Sequence, residues 1–192
     1  YACTDREENP TIYQYNHGFI ENKFLKKLKY PLYYMDFESI QSGLRIYVGT
    51  RPYQQLCVQY SVHVQTKPFI RSYSREIDAS VTPDHLNHEL KLDDLDLIHY
   101  EYIANPKCLQ DPSRSFITQL VKHLDCDIGS KGSIIVYNRN FEVGRLNEIA
   151  ETCPEFDDVI RDICRRIVDL AVIFMDKHYY SHDMNGSYSL KN

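Results

Sequence analysis

The run Ser133-Ile134-Ile135-Val136-Tyr137, directly after Gly132, is a short apolar segment with no polar alternation. A strand that is apolar on both faces is typical of a sheet covered on both sides. Helical patterns lie on either side of this run, with apolar residues three and four positions apart, at residues 116–124 and 146–153. Buried strands interleaved with amphipathic helices predict an α/β domain.

Several other segments have the β-branched and aromatic content of strands. Consecutive, hairpin-like pairing of Gln59–Val64, Phe69–Tyr73 and the segment around His99–Tyr102 is the most economical arrangement, and we expect a mixed sheet flanked by helices. Asp111-Pro112 predicts a helix start, with Asp111 as the N-cap and proline at the first helical position. The predicted strands are Leu32–Phe37, Gln59–Val64, Phe69–Tyr73 and a short one around His99–Tyr102.

The chain has 192 residues and 43% hydrophobic content, enough for one domain with a sizeable core. We expect this domain over residues 31–192. Residues 1–30 are interpreted as a linker and lead-in helix from a preceding segment. In that helix Ile20, Phe24, Leu25 and Leu28 recur at helical spacing.

Charge and cysteine content narrow the function classes. The formal charge of −5 argues against a protein that coats polyanions, although a site that grips phosphates through metal ions is itself acidic. The six cysteines are scattered without a C-x-x-C pair, which favours free thiols in a reducing, cytoplasmic setting. No apolar run approaches the roughly 20 residues that cross a bilayer, so no membrane partner is expected.

The segment YYMDFES ends an apolar strand on two acids, Asp36 and Glu38. Residues two apart in a strand share a face and lie about 7 Å apart, so both carboxylates can reach one spot while Phe37 faces the core. Adjacent carboxylates repel unless a divalent cation lies between them. The alternative is the solvated end of an exposed strand, against which the apolar run 32–35 counts.

A second acid lies in VYNRNFEVGRL, where the buried strand passes into a helix. Glu142 falls in the first helical turn, where the helix dipole favours a carboxylate by about 0.3–1 kcal/mol. One interpretation is purely structural, with Asn138 or Asn140 as the cap. The other is that Glu142 leans over the end of the sheet toward Asp36 and Glu38.

Taken together, these segments resemble the DnaQ-like, or DEDD, 3′–5′ exonuclease superfamily, which has a ribonuclease H-like fold. Its first motif is D-x-E followed by T-T-G-L; here DFES-IQSGL places Ser39 at the hydroxyl position and Gly43-Leu44 after a two-residue insertion. Its second motif matches Asn138 through Glu142, with Glu142 where the superfamily ordinarily has Asp.

The closer resemblance is to an uncharacterised bacterial family in this superfamily, often found downstream of a RecB-like nuclease segment. Its members carry stretches similar to five segments found here in the same order, covering residues 29–192. A RecB-like nuclease domain in the same full-length chain is therefore an expected partner. The five segments are YPLYYMDFES, GTRPYQQ, GSIIVYNRNFE, RIVDL and MNGSYSLK.

The resemblance implies two-metal hydrolysis of phosphodiester bonds in DNA or RNA, at single-stranded ends, with two Mg²⁺ or Mn²⁺ ions. It assigns Asp36, Glu38 and Glu142 as the metal carboxylates and places Ser39 near the substrate. The alternative function is a catalytically incomplete nucleic-acid-binding or docking module of a larger nuclease. A metal phosphodiesterase for a small nucleotide is a third candidate.

The superfamily also needs a fourth acid on a late helix. We expect it beyond Asn192, which makes the domain C-terminally incomplete and this fragment weakly active or inactive. The alternative inside the chain is His178 with Asp183, in a polar context where Asn185-Gly186 indicates a turn. Asp169 matches an acid that supports the site, or it caps the helix after it.

Possible substrate contacts lie outside the acids. Arg51 could pair with a phosphate and Tyr53 could stack on a base, although an ordinary surface turn is equally plausible. Asn138 is a further candidate for substrate binding. Tyr179-Tyr180 and Ser187-Tyr188 could form a stacking wall, but with 16 tyrosines in the chain a packing role is favoured. The eight histidines show no H-x-x-x-H or H-E pattern, so surface or core roles are favoured for them.

Overall fold

A computed structural model describes residues 14–68, 97–124 and 131–190. The strands are β1 (Gln14–Tyr15), β2 (Leu32–Gln41), β3 (Gln55–Gln65), β4 (Leu97–Ile103), β5 (Ile134–Val136), β6 (Ile167–Asp169) and β7 (Tyr179–Tyr180). The α-helices are α1 (Ser113–Leu124), α2 (Arg139–Thr152), α3 (Asp157–Arg166) and α4 (Ala171–Met175). The predicted fold class is confirmed: an α/β protein with a mixed sheet of five strands and flanking helices.

The chain divides into two compact units. The central unit is Lys29–Ser133, and the terminal unit combines Tyr1–Leu28 with Ile134–Asn192. The predicted boundary between a linker over residues 1–30 and a domain over residues 31–192 stays a prediction.

In the central unit, β2, β3 and β4 pair antiparallel in sequence order. β3 and β4 contain two of the three segments that were predicted to pair as hairpin-like strands. β2 and β3 are each longer than their predicted segments, and the predicted strand Phe69–Tyr73 lies outside the described residues. Helix α1 covers one face of this sheet, where the Phe116 ring meets the Phe37 and Tyr60 rings edge-on at 5.1 and 5.2 Å between centroids. This apolar layer forms the core of the unit.

The start of α1 follows the predicted capping arrangement. The Asp111 Oδ1 accepts a hydrogen bond from the Ser113 N–H at 2.8 Å, which satisfies one of the free donors of the first turn. Two successive turns of the helix then place Phe116, Ile117 and Leu120 in the core, each fully buried.

In the terminal unit, β5 and β6 pair parallel, with Ile134 opposite Ile167 and Val136 opposite Asp169. All three residues of β5 are buried, as its apolar sequence predicts. Helices α2 and α3 follow β5 along the chain, and Leu146 and Ile163 are among the residues they bury. β6 ends at Asp169, level with the end of β5, so the two strands finish at the same edge.

The lead-in segment forms two short non-α turns. Gly18–Phe24 is a π-helical turn and Leu25–Lys27 is a 3₁₀ turn. Ile20 and Phe24 are buried against Ile173, but Leu25 is 48% exposed, contrary to the helical stripe predicted from the sequence. The residues per turn differ between π and 3₁₀ geometry, so the α-helical spacing does not hold along this segment.

His123 on α1 makes the stability of the central unit pH-dependent. Its Nδ1 lies 2.8 Å from the Tyr60 hydroxyl oxygen and its ring stacks on Tyr100. Burial, followed by the charge of Lys122, lowers the pKa of His123 below its usual 6.5. The unfolded chain therefore takes up the proton first, so the contribution of His123 is complete above about pH 6.5 and decreases as pH falls.

We therefore expect the wild type to lose stability on acidification more steeply than the His123→Gln variant. Urea unfolding midpoints measured from about pH 7.5 to pH 5 test this. His182→Gln, at an exposed histidine, serves as the control and should follow the wild type. Parallel pH profiles for wild type and His123→Gln would contradict the assignment.

The described cysteines differ in their exposure to solvent. Among the described cysteines, Cys57 and Cys153 are buried, Cys164 is partly buried and Cys108 is exposed. None of the helices in the described ranges is long and apolar enough to cross a membrane.

Candidate functional site

The acids of YYMDFES alternate with core residues along β2. Asp36 and Glu38 face solvent, while Met35 and Phe37 are 4% and 3% exposed on the opposite face. The two-residue repeat of a strand therefore places both carboxylates on one side, as the sequence predicts. Tyr34 is 38% exposed on that same side, so burial alternates along residues 33–38 although the run 32–35 is apolar and aromatic in sequence. Tyrosine occupies both a buried and an exposed position of this strand.

A β-bulge lies next to this acid pair. Asp36 pairs with Ser61 and Glu38 with Gln59, but Ser39 pairs with Cys57, so the register shifts between Glu38 and Ser39. Bulges change the direction of side chains and are frequent beside functional sites. After the bulge the Ser39 Oγ accepts a hydrogen bond from the Gln55 Nε2 at 2.9 Å, which fixes this hydroxyl beside the acid pair.

Glu142 belongs to the terminal unit and lies in the first turn of α2, as predicted. Its side chain is only 1% exposed. A carboxylate removed from water is costly unless polar or charged groups compensate it, which separates Glu142 from an ordinary surface acid. Glu142 lies four and seven positions before Leu146 and Ile149 and so shares the face that α2 buries, but the sequence alone does not predict that an acid at the end of this stripe is buried.

The predicted cap of α2 is wrong. Asn138 occupies the N-cap position with a left-handed φ of 76°, and its side chain makes no capping hydrogen bond. Asp169, at the end of β6, supplies the acceptors instead. Its Oδ1 accepts from the Asn138 N–H and its Oδ2 from the Arg139 N–H, each at 3.0 Å.

Asp169 also caps the helix that follows it, because its Oδ1 accepts from the Ala171 N–H at 2.9 Å. The hydrogen bond at the start of α4 is therefore present, with Leu170 at the N-cap position, whereas support of a site by Asp169 stays a prediction. The link to α2 joins residues about 30 positions apart, and only the parallel pairing of β5 with β6 brings them together.

His178 and Asp183 make different sets of contacts. The His178 ring stacks on Phe19 at 3.5 Å between centroids, and its Nδ1 lies 3.3 Å from the Asn16 Nδ2. Asp183 lies in a short 3₁₀ turn and accepts a hydrogen bond from the Ser181 hydroxyl at 3.2 Å. The predicted turn is present, since Asn185 and Gly186 both have positive φ. This segment is not the long helix that would carry a fourth metal acid.

A cavity of about 530 Å³ opens in the terminal unit. Four of its lining residues are aromatic, and the Tyr137 hydroxyl donates a hydrogen bond to the Tyr188 carbonyl oxygen. Burial, and then the negative charge of Asp169, raises the pKa of Tyr137. Packing roles were favoured for these tyrosines from the sequence, yet several share one cavity wall. The lining residues include Tyr137, Phe174, Tyr179, Tyr188, Asp183 and Asn185.

Arg51 and Tyr53 lie on the loop between β2 and β3. Both are exposed, and Tyr53 is 71% exposed with a positive φ of 58°. The loop is held by its backbone, since the Tyr53 N–H donates to the Ser42 carbonyl at 2.7 Å. These features fit a surface turn, and they leave both side chains accessible to a ligand.

The comparisons with known proteins identify the family. The family model described as "Domain of unknown function (DUF2779)" matches residues 33–189, and the chain belongs to this family. It is 26% identical over 171 residues to "Uncharacterized protein UU173" of Ureaplasma parvum serovar 3, covering 86% of this chain and 21% of that protein. It is also 26% identical over 187 residues to "Uncharacterized protein MG366 homolog" of Mycoplasma pneumoniae, covering 88% and 24%.

The chain thus spans about a quarter or less of the length of these curated relatives. No solved structure matches it. Membership of this family assigns neither an activity nor a ligand to the chain.

Proposed function

We propose that this chain forms the carboxylate-bearing part of a metal-dependent nuclease that hydrolyses phosphodiester bonds, as a 3′–5′ exonuclease of the DnaQ-like type. The observation that carries the proposal is the placement of Asp36 and Glu38 on the open face of β2, directly before a β-bulge. Two accessible carboxylates on a rigid strand are a suitable platform for a hard divalent cation.

The donor chemistry fits Mg²⁺ or Mn²⁺, because both prefer carboxylate oxygens. Asp36 and Glu38 would hold an ion from the central unit, and Glu142 is the acid proposed from the terminal unit. When bound, such ions would polarise the phosphate and lower the pKa of an attacking water. Asp169 would act indirectly, by fixing the start of the helix that carries Glu142.

The terminal unit also suits a nucleic-acid substrate. The cavity beside Tyr137 combines aromatic rings with the carboxylate of Asp183 and the amide of Asn185. Aromatic rings stack on bases of any sequence, at about 1–3 kcal/mol per base. A single-stranded end is therefore the proposed substrate. A cytoplasmic location and a RecB-like nuclease domain in the full-length protein complete this proposal.

One observation favours a second candidate, a nucleic-acid-binding module without catalysis. Across residues 14–68, 97–124 and 131–190, no three His, Cys, Asp or Glu side chains form a group that could hold a metal ion. A two-metal site needs more acids than β2 provides. The exchange of Asp for Glu at position 142, relative to the superfamily motif, points the same way.

The proposed activity is tested on the full-length protein with 5′-labelled DNA and RNA oligonucleotides. We expect Mn²⁺-dependent shortening from the 3′ end, and a loss of at least about 100-fold for Asp36→Asn because the variant keeps the shape but not the charge. Asp158→Asn changes an exposed acid on α3 and should retain wild-type activity.

The outcomes separate the two candidates. Equal shortening by wild type and Asp36→Asn would contradict the proposed metal site. Oligonucleotide binding without cleavage in any divalent metal would favour the non-catalytic module.

A further inference from the structure

Two histidines face each other on the solvent side of the central sheet. His63 on β3 and His99 on β4 are directly opposite in the antiparallel register. The His99 Nδ1 lies 3.0 Å from the His63 Nε2. Both side chains therefore start from paired strand positions, which limits how far either ring can move away.

The two rings meet obliquely. Their centroids are 4.4 Å apart and their planes are inclined by 45°. A straight N–H···N hydrogen bond of the same length would place the ring centres roughly 5 Å apart or more, because each centre lies behind its nitrogen. The observed separation of the ring centres is shorter. The in-plane lone-pair directions of the two nitrogens therefore point to one side of the line that joins the nitrogens.

This geometry is that of a chelating pair. A metal ion bound at about 2.0–2.1 Å by two imidazole nitrogens, at angles between a right angle and a tetrahedral angle, separates them by about 2.9–3.4 Å. The observed 3.0 Å lies in this range. Little movement of either side chain would be required to admit an ion.

A carboxylate occupies the other side of the pair. The Glu101 Oε2 lies 3.6 Å from the His99 Nε2, the ring nitrogen that faces away from His63. Metal-binding histidines commonly direct their second N–H to a carboxylate, which fixes the tautomer and makes the ligating nitrogen more basic. At 3.6 Å this is an electrostatic contact rather than a hydrogen bond, and a proton on Nε2 facing Glu101 would leave the Nδ1 lone pair directed toward His63.

The electrostatics of His63 are compatible with this arrangement. Burial, followed by the neighbouring His99, lowers the pKa of His63, so the neutral, ligating form is favoured at neutral pH.

We propose that His63 and His99 bind one late transition-metal ion, with Glu101 as the positioning residue for His99 and with water completing the coordination. Imidazole ligands suit Cu²⁺, Ni²⁺ and Zn²⁺, whereas Mg²⁺ prefers oxygen. This site thus differs in metal class from the carboxylates of β2, and it does not depend on nuclease activity. Two protein ligands and the exposure of His99 make it an accessible, exchangeable site rather than a buried structural one.

Titration of the 192-residue chain with Cu²⁺, Ni²⁺ and Zn²⁺ by calorimetry tests the site, with Mg²⁺ as the comparison metal. Cu²⁺ should bind tightest, in the Irving–Williams order. Both His63→Ala and His99→Ala should weaken binding at least about tenfold, and Glu101→Gln should weaken it by about 10-fold or more. His182→Ala, at an exposed histidine, and Asp158→Asn, at an exposed acid of α3, should bind as wild type does.

Electron paramagnetic resonance of the Cu²⁺ form gives an independent count of ligands. The wild-type spectrum should show coupling to two imidazole nitrogens and each single histidine variant coupling to one. Both side chains lie on the solvent side of the sheet and His99 is 44% exposed, so the variants should keep the wild-type circular dichroism spectrum. Unchanged affinity in the His63→Ala/His99→Ala double variant, or no wild-type binding of any of the three metals, would overturn the proposal.

Discussion

Replacement of Gly132 by alanine should unfold the central unit or destabilise it by at least about 3 kcal/mol. A Cβ at position 132 would lie 2.6 Å from the Pro31 carbonyl carbon and closer still to its oxygen. Contacts of this length do not occur, and the neighbouring atoms belong to the backbone, which cannot rotate away as a side chain could. The effect therefore comes from forced separation of two chain segments.

The surrounding hydrogen bonds explain why these segments cannot move apart cheaply. The Ser133 N–H donates to the Lys29 carbonyl at 2.8 Å, and the Lys29 N–H donates to the Ser133 Oγ at 3.0 Å. The Tyr33 N–H then donates to the Ser133 carbonyl at 2.9 Å. A shift large enough to admit a methyl group would break several of these bonds, and their loss would leave polar groups of the backbone unsatisfied.

Gly144→Ala provides the matched control, because the same atom is added at a glycine inside α2. An added Cβ there meets nothing within 4 Å, so we expect stabilisation by about 0.5–1 kcal/mol from helix propensity. Urea unfolding of both variants measures the difference. Similar midpoints for Gly132→Ala and wild type would show that the backbones of Gly132 and Pro31 can separate enough to admit a methyl group.

Structural features that depend on residues close together in the sequence were predicted correctly. The α/β class and the opposite placement of Phe37 and the acids follow from hydrophobic content and from the period of a strand. The Asp111 cap was predictable because cap and helix are adjacent in sequence.

The sequence did not predict features that depend on distant residues. Asn138 looks like a helix cap, yet Asp169 takes that role across a parallel strand pair. The His63–His99 pair has no local motif because its members lie on different strands and meet only through the register. Glu142 has the sequence context of an ordinary first-turn acid, and only tertiary packing buries it.

Loss of the Asp169 carboxylate should destabilise the terminal unit more than loss of a typical helix cap. In Asp169→Ala, the backbone N–H groups of Asn138, Arg139 and Ala171 all lose an acceptor. A cap replaced by alanine costs about 0.5–2 kcal/mol, and hydrogen bonds to a charged group contribute about 1.5–3 kcal/mol. We expect a loss of about 2–4 kcal/mol, measured as a shift of the urea midpoint.

The position of this loss distinguishes capping from a general electrostatic effect. In Asp169→Asn one oxygen can still accept, whereas the amide nitrogen faces a donor, so the variant should fall between wild type and Asp169→Ala. Amide hydrogen exchange should accelerate at Asn138 and Arg139 before it does so in α3. Asp176→Ala removes an exposed carboxylate of the same unit and should change stability by no more than about 0.5 kcal/mol. An equally small change in stability for Asp169→Ala and Asp176→Ala would contradict this prediction. The hydrogen bonds from the start of α2 to Asp169 would then not hold in place the helix that carries Glu142.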